Sequence, residues 1–130
     1  MTVRDDLQLL SELRNVGLAL VDLIEAISPG VEFKKKGRRW VPSENFVTIS
    51  VQAARARSIA FSLRGHPDEF PDALRQSLPL KKGMGRGAYS ECTLKNPSQL
   101  PAVAWYIQQA HQLYSKGSSR TRKRVVVREA

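Results

Sequence analysis

Two stretches near the ends of the chain carry apolar side chains at helical spacing. Between residues 5 and 27 these side chains recur at steps of three, four or seven, on one face of an amphipathic helix: Leu7, Leu10, Leu13, Leu20, Ile24 and Ile27. The Ser-Pro-Gly of residues 28–30 ends this predicted helix. A second predicted helix follows the Asn-Pro-Ser of residues 96–98, and its apolar stripe consists of Leu100, Val103, Ala104, Ile107, Ala110 and Tyr114.

The segment between the predicted helices alternates between apolar and polar residues, the period of a sheet with one buried face. Residues 45–51 and 56–63 alternate clearly, and residues 88–94 form a further strand candidate. Residues 31–34 and 38–41 flank a predicted hairpin turn, whereas residues 64–87 are predicted to be largely irregular. The pattern predicts an α+β fold. An antiparallel sheet of four to five short strands carries an N-terminal and a C-terminal helix on one face, which leaves the other face to solvent or a partner.

The chain has 130 residues, which fits one domain. We assign residues 1–116 to that domain and residues 117–130 to a basic C-terminal tail. No apolar run approaches the ~18 residues needed to cross a bilayer, and the first residues lack a secretory pattern. Cys92 is the only cysteine, which excludes an internal disulfide and a cysteine-based zinc cluster. A cytoplasmic protein without membrane contact is the simplest interpretation.

Charge is distributed unevenly along the chain, whose net charge is +9. Residues 1–30 carry two basic and five acidic side chains, whereas residues 31–115 carry 13 basic and six acidic ones. Residues 116–130 add six basic side chains against one acidic side chain. Such an asymmetry creates a field that attracts polyanions, although a basic balance also serves solubility alone.

The densest group of cations lies on the predicted hairpin: Lys34, Lys35, Lys36, Arg38 and Arg39. Lysine and arginine bind phosphate as a point charge and as a fork of two donors, respectively. Trp40 follows the cations and offers a ring on which an exposed base can stack. The alternative is a solvated turn with Trp40 packed against the core.

A second basic segment, residues 81–87, alternates cations with glycine. It contains Lys81, Lys82 and Arg86, and its backbone amides can turn toward an anion. It lacks the Gly-Lys-Ser/Thr ending of a P-loop and precedes a strand, so a flexible connection is the alternative interpretation. Arg55 and Arg57 add cations at the start of the strand predicted over residues 56–63.

The C-terminal tail carries a third basic group, formed by Arg120, Arg122, Lys123 and Arg124. Basic arms of this kind commonly order only when they contact nucleic acid. A solubilising tail is the alternative.

Three short segments resemble a small uncharacterised α+β domain. They are the Leu-Lys-Lys-Gly of residues 80–83, the Gly-Arg-Gly-Ala-Tyr-Ser of residues 85–90 and a helix with Ile107, Ala110, Leu113 and Tyr114. That domain recurs in bacterial predicted transport proteins and behind restriction-endonuclease-like nuclease modules. The resemblance spans about residues 12–115 in element order. It implies a domain that accompanies nucleic-acid enzymes, without established catalytic residues.

The sequence offers no convincing catalytic set. Asp22 and the Glu-Phe-Lys of residues 32–34 imitate a nuclease motif, but Asp22 lies on a predicted helix rather than beside a strand. His66, Cys92 and His111 lack close metal-ligand spacing. We therefore expect no enzyme, metal or cofactor.

The sequence predicts a non-enzymatic accessory domain that binds nucleic acid, DNA or RNA, through phosphate contacts and with little sequence preference. The alternative is a protein-interaction or adaptor module of a bacterial or phage complex, in which the acidic first helix contacts a basic partner. A third possibility is a sensor that holds an anionic metabolite at its glycine-rich loop.

Overall fold

The computed structural model describes residues 2–54, 57–83 and 88–116. The predicted binding residues Arg55 and Arg86 lie outside these ranges, as do the tail residues Arg120, Arg122, Lys123 and Arg124.

The described residues form four α-helices, six β-strands and two short 3₁₀-helices. The helices are α1 (Val3–Leu7), α2 (Arg14–Ile27), α3 (Asp72–Ser77) and α4 (Leu100–Ser115). The strands are β1 (Phe33–Lys36), β2 (Arg39–Pro42), β3 (Val47–Gln52), β4 (Ser58–Arg64), β5 (Lys81–Lys82) and β6 (Tyr89–Leu94). The 3₁₀-helices are Pro67–Glu69 and Pro97–Gln99.

The strands form one open sheet in the order β1-β2-β3-β4-β6-β5, and every neighbouring pair is antiparallel. The predicted α+β class with an antiparallel sheet is therefore confirmed. The predicted number of four to five strands is too low, because β5 pairs with β6 from within the segment predicted to be irregular. A strand of only two residues is too short to leave an alternating pattern in the sequence.

One face of the sheet carries the core. The pairings align Ile49 with Trp40 and Phe61, and Phe61 with Cys92, so these four side chains lie in one cross-strand row. All four are at most 5% exposed. Helices α2 and α4 pack against each other, and α4 also contacts β3 and β4. The Phe46 ring meets the edge of His111 on α4, with ring centroids 4.8 Å apart.

The helix predicted over residues 5–27 is two helices in the structure. Thr2 and Asp5 cap α1 reciprocally, and α1 ends at Leu7. The chain then turns through residues 8–13 before α2 begins. Leu10 and Leu13 are buried in this connection, so apolar spacing persists where the helix is interrupted. The spacing alone therefore does not reveal the break.

Gly17 explains how α1 fits against α2 and the sheet. A Cβ atom at this position would lie 2.7 Å from Leu7 Cδ2 and 2.9 Å from Ile59 Cδ1. The glycine thus permits a close approach that offsets its low helix propensity. Arg4 of α1 also binds Asp22 and Glu25 of α2, at 2.9 and 2.6 Å.

Helix α4 carries two adjacent aromatic residues, Trp105 and Tyr106. Because neighbouring residues of a helix face different directions, both side chains cannot point into the core. Tyr106 is buried and donates its hydroxyl to the Leu78 carbonyl, while Trp105 is 57% exposed. Among the described residues, none of the helices combines the length and apolar composition needed to cross a membrane.

Substitution of Gly17 by alanine tests the close packing of α1. Alanine gains about 1 kcal/mol in helix propensity, but overpacking costs about 1–3 kcal/mol because Leu7 and Ile59 are both buried. We expect G17A to lower the free energy of unfolding measured in urea. The L7A/G17A double variant should lose less free energy of unfolding than the sum of the losses in L7A and G17A, because truncating Leu7 removes one of the two collisions. Stabilisation by G17A in the wild-type background would contradict this packing.

Candidate nucleic-acid interface

The basic hairpin turns through two residues, Gly37 and Arg38. Strand pairing places Lys36 opposite Arg39 and Lys35 opposite Trp40, so the turn begins two residues later and ends one residue later than the predicted turn at residues 35–37. Gly37 has a φ of 64°, a conformation that favours glycine at the first position of a tight hairpin turn. The Ser50 hydroxyl donates to the Arg38 carbonyl at 3.1 Å and so fastens the turn to β3.

Strand alternation divides the hairpin cations between the two faces of the sheet. Trp40 points to the core, so its neighbour Arg39 points to the opposite face, which we call the open face. Lys36 pairs with Arg39 and lies on the same face; Lys34 pairs with Val41 and joins them. Lys34, Lys36, Arg38 and Arg39 are all exposed. None of these four forms an ion pair with any acidic residue of the described part of the chain.

Lys35 lies on the other side and has a structural role. Its ammonium nitrogen is 3.5 Å from Asp6 Oδ2 and 5.5 Å from the centroid of the Trp40 ring. The same Asp6 oxygen accepts the indole N–H of Trp40 at 2.7 Å. Lys35 therefore neutralises a carboxylate instead of projecting a free charge.

The predicted stacking role of Trp40 is wrong in this structure. The side chain is buried, with 4% of its surface exposed, and its N–H is bound to Asp6. The alternative interpretation, in which Trp40 packs against the core, agrees with this placement. The physical reason is the value of burying a large ring once its single polar group has a partner.

The centre of the open face is polar and carries small side chains. Pairing aligns Thr48 with Ser62 and Glu91, and Ser50 with Ala60 and Thr93, in two rows across β3, β4 and β6. The hydroxyls of Ser62 and Thr93 are partly exposed and can donate hydrogen bonds to phosphate oxygens, whereas Thr48 is only 8% exposed. The sequence analysis missed these rows because serine and threonine in a strand carry no signal of their own until the register is known.

The second basic segment lies at the far edge of the sheet. Lys81 and Lys82 form β5, and Lys81 pairs with Glu91 and so lies on the open face. Because β1 and β5 are the two outermost strands, their cations are separated by five strand spacings, about 24 Å. The hypothesis of phosphate contacts through all of these cations implies one continuous basic surface. The structure does not gather them into such a surface. They form two basic edges, and the centre between them carries hydroxyl side chains and the carboxylate of Glu91.

Arg57 belongs to neither edge. It is exposed in the β3–β4 connection with a φ of 48° and lines a cleft together with Leu10, Ser11, Glu12 and Leu13. The structure therefore places Arg57 beside the α1–α2 connection.

A larger cleft of about 880 Å³ opens between the hairpin turn and the end of β3. Its basic lining consists of Lys35 and Arg38, and Ser50 and Gln52 supply a hydroxyl and an amide. Asp6 is the acidic residue of this lining and is already engaged by Trp40 and Lys35. Arg38 is thus the charge in this cleft that has no acidic partner within the described residues.

Lysine on both edge strands has a second physical consequence. Charged edge strands resist pairing with the edges of other sheets, a common protection against aggregation. Lys34, Lys35 and Lys36 in β1 and Lys81 and Lys82 in β5 fit this role as well. This interpretation explains lysine at the edges, but it does not require Arg38 and Arg39 in and after the turn.

Arg64 is a buried cation that the sequence analysis did not single out. It is 4% exposed, its guanidinium lies over the rings of Tyr89 and Tyr114 at 5.0 and 5.2 Å, and Nη2 donates to the Asn45 carbonyl at 2.6 Å. These contacts join the end of β4 to β6 and to α4. Arg64 therefore acts as a structural cation.

The groups considered for catalysis have local structural roles. Burial raises the pKa of the Cys92 thiol to about 12, which keeps it protonated and weakly nucleophilic. Asp22 is bound to Arg4, and the Glu69 carboxylate accepts the backbone N–H of His66 at 2.8 Å. Within residues 2–54, 57–83 and 88–116, no three His, Cys, Asp or Glu side chains are grouped so that they could hold a metal ion.

Comparison of the chain with protein-family models, with curated proteins and with solved structures gave no match. The resemblance to the domain behind nuclease modules therefore stays a prediction.

Substitution of Trp40 by phenylalanine separates the structural role from the stacking role. The variant keeps most of the buried ring but leaves Asp6 without its indole donor. Because hydrogen bonds to charged groups contribute about 1.5–3 kcal/mol, we expect a loss of that order in the free energy of unfolding. Nucleic-acid affinity of the folded W40F protein should be unchanged. A selective loss of affinity for single strands, with stability retained, would restore the stacking role.

Proposed function

We propose that this protein is a non-enzymatic accessory domain that binds nucleic acid through phosphate contacts on the open face. The observation that carries the proposal is the set of exposed cations Lys34, Lys36, Arg38 and Arg39, which have no acidic partner among the described residues. Maintaining four like charges on one short hairpin is unfavourable unless something offsets their repulsion. A polyphosphate does so and releases its own counterions on binding.

The surroundings of these cations favour a phosphate backbone over a protein partner. Thr93 lies in the row that continues from the Lys36–Arg39 pair and supplies a neutral hydroxyl donor, whereas the Ser50 hydroxyl in the same row already donates to the Arg38 carbonyl. Within the described residues, the exposed large apolar side chains are Leu9 and Trp105, which lie outside the sheet, so the open face lacks the apolar anchor that dominates protein interfaces. Contacts to phosphate carry no base information, so we expect little sequence preference.

The opposite side of the molecule supports a single orientation on the ligand. Asp22 and Glu25 lie on α2 and both contact Arg4. The hydrogen bond to Asp22 is the main cause that raises the pKa of Arg4, and Glu25 raises this pKa further. Carboxylates on the helix layer and unpaired cations on the sheet produce a field that turns the open face toward a polyanion. We further propose that the protein acts in the cytoplasm.

The salt dependence of binding tests the proposed contacts. If Arg39 contacts one phosphate, R39Q should reduce the slope of log K against log salt by about 0.9 for duplex DNA. K36Q/R39Q should reduce it by about twice that amount, since the two residues form a cross-strand pair on one face. Fluorescence anisotropy with a labelled oligonucleotide at several salt concentrations measures both slopes.

R14Q is the matched control for this experiment. Arg14 is also exposed, begins α2 on the helix layer, and loses the same charge when changed to glutamine. Its salt slope should equal that of the wild-type protein. Equal slopes for R39Q and R14Q would show that only net charge matters and would overturn the proposed interface.

A second candidate function is the protein-interaction module, and Trp105 is the observation that favours it. Its side chain is 57% exposed on α4, and exposed tryptophan is enriched at protein interfaces. Under this alternative the acidic face of the first helices is partly neutralised, because Arg4 binds both Asp22 and Glu25 and offsets one of their two charges. The salt experiment discriminates, because a partner held on Trp105 would be retained at high salt and be insensitive to R39Q.

A further inference from the structure

We infer that the nucleic acid bound by this domain is a duplex that crosses the open face from the β1–β2 edge to the β5 edge. This inference rests on the function proposed above and adds the form of the ligand. The observations that carry it are the separation of the two basic edges, the side chains between them and the placement of the aromatic rings.

The separation of the basic edges requires a ligand that keeps its shape over a distance. Lys34 and Lys36 lie on β1 and Lys81 lies on β5, five strand spacings or about 24 Å apart. This span corresponds to about seven base pairs of duplex. A duplex is straight over that length, since its persistence length is about 150 base pairs. It can contact both edges without a large ordering cost.

A single strand lacks this advantage. It would have to become extended and ordered across the centre of the face, which carries hydroxyl side chains and the carboxylate of Glu91, and this ordering costs conformational entropy. Proteins that bind single strands offset this cost by stacking bases on aromatic side chains, each worth about 1–3 kcal/mol. A face that binds single strands is therefore expected to present exposed aromatic rings.

The described strands provide no free ring on the open face. Trp40 and Phe61 are buried on the core face. Tyr89 lies on the same side of β6 as Glu91 and Thr93. Its ring is half-buried, and the Arg64 guanidinium lies 5.0 Å from the ring centroid. Trp105, the exposed tryptophan, lies on α4 in the helix layer. The face thus offers hydroxyls and cations, which suit the backbone of a duplex.

Glu91 lies on the path between the two edges and gives the inference its sharpest test. It is the one acidic residue in the six strands, and it pairs with Ser62 on one side and Lys81 on the other. A phosphate backbone that crosses the face passes this carboxylate. Glu91 is three strand spacings from β2, about 14 Å, which exceeds the ~8 Å Debye length at physiological salt.

The first experiment compares a labelled duplex with each of its separated strands, at equal salt and with the full chain. We expect the duplex to bind roughly ten-fold more tightly than either strand, because it presents twice the charge per unit length. Equal or tighter binding of a single strand would overturn the inference and leave the proposed function standing. Absence of binding to all three oligonucleotides would overturn both.

The second experiment measures duplex affinity for E91Q, with E44Q as the matched control. Glu44 is exposed in the β2–β3 connection, where its carboxylate contacts Ser28. We expect E91Q to bind the duplex several-fold more tightly and E44Q to bind more weakly than E91Q. A gain of affinity cannot arise from unfolding, so misfolding does not imitate the expected result. Unchanged affinity in E91Q would confine the ligand to the hairpin edge and overturn the crossing path.

Discussion

The burial of Trp40 is the constraint on which the proposed interface depends. Its indole N–H is bound to Asp6, and its ring lies in the core row with Ile49 and Phe61. Because side chains alternate along a strand, a tryptophan fixed on the core face forces Arg39 and its cross-strand partner Lys36 onto the open face. The sequence predicts that Trp40 contacts the ligand. Its buried position instead orients Arg39 and Lys36, which we propose contact the ligand.

The sheet edges combine two physical requirements. Lysine on β1 and β5 discourages pairing with another sheet, and the same charges attract polyanions. The arginines distinguish the two roles, because Arg38 lies in the turn and Arg39 lies on β2, which is already paired on both sides. Their charge does not protect an edge. The hairpin cations therefore indicate a ligand more strongly than the lysines of β5 do.

The sequence supports the fold class and much of the hairpin, but not the relation between distant segments. Apolar spacing correctly indicates the two long helices, yet it passes through the break after Leu7 because Leu10 and Leu13 stay buried. Alternation indicates β3 and β4, whereas β5 is defined only by its pairing with β6. The order of strands decides that Lys36 and Lys81 lie at opposite edges, and no local pattern contains that order. The roles of Arg64 and Glu91 likewise follow from register.

We propose that nucleic acid contacts the open face beside the hairpin. Backbone amide chemical shifts of the full chain, followed during titration with a short duplex, report which residues lie at the contact. We expect the largest changes to cluster at Lys34, Lys36, Arg39 and Ser50, and amides of α2 to change little. The largest changes on α4 around Trp105, with the hairpin unaffected, would contradict this proposal.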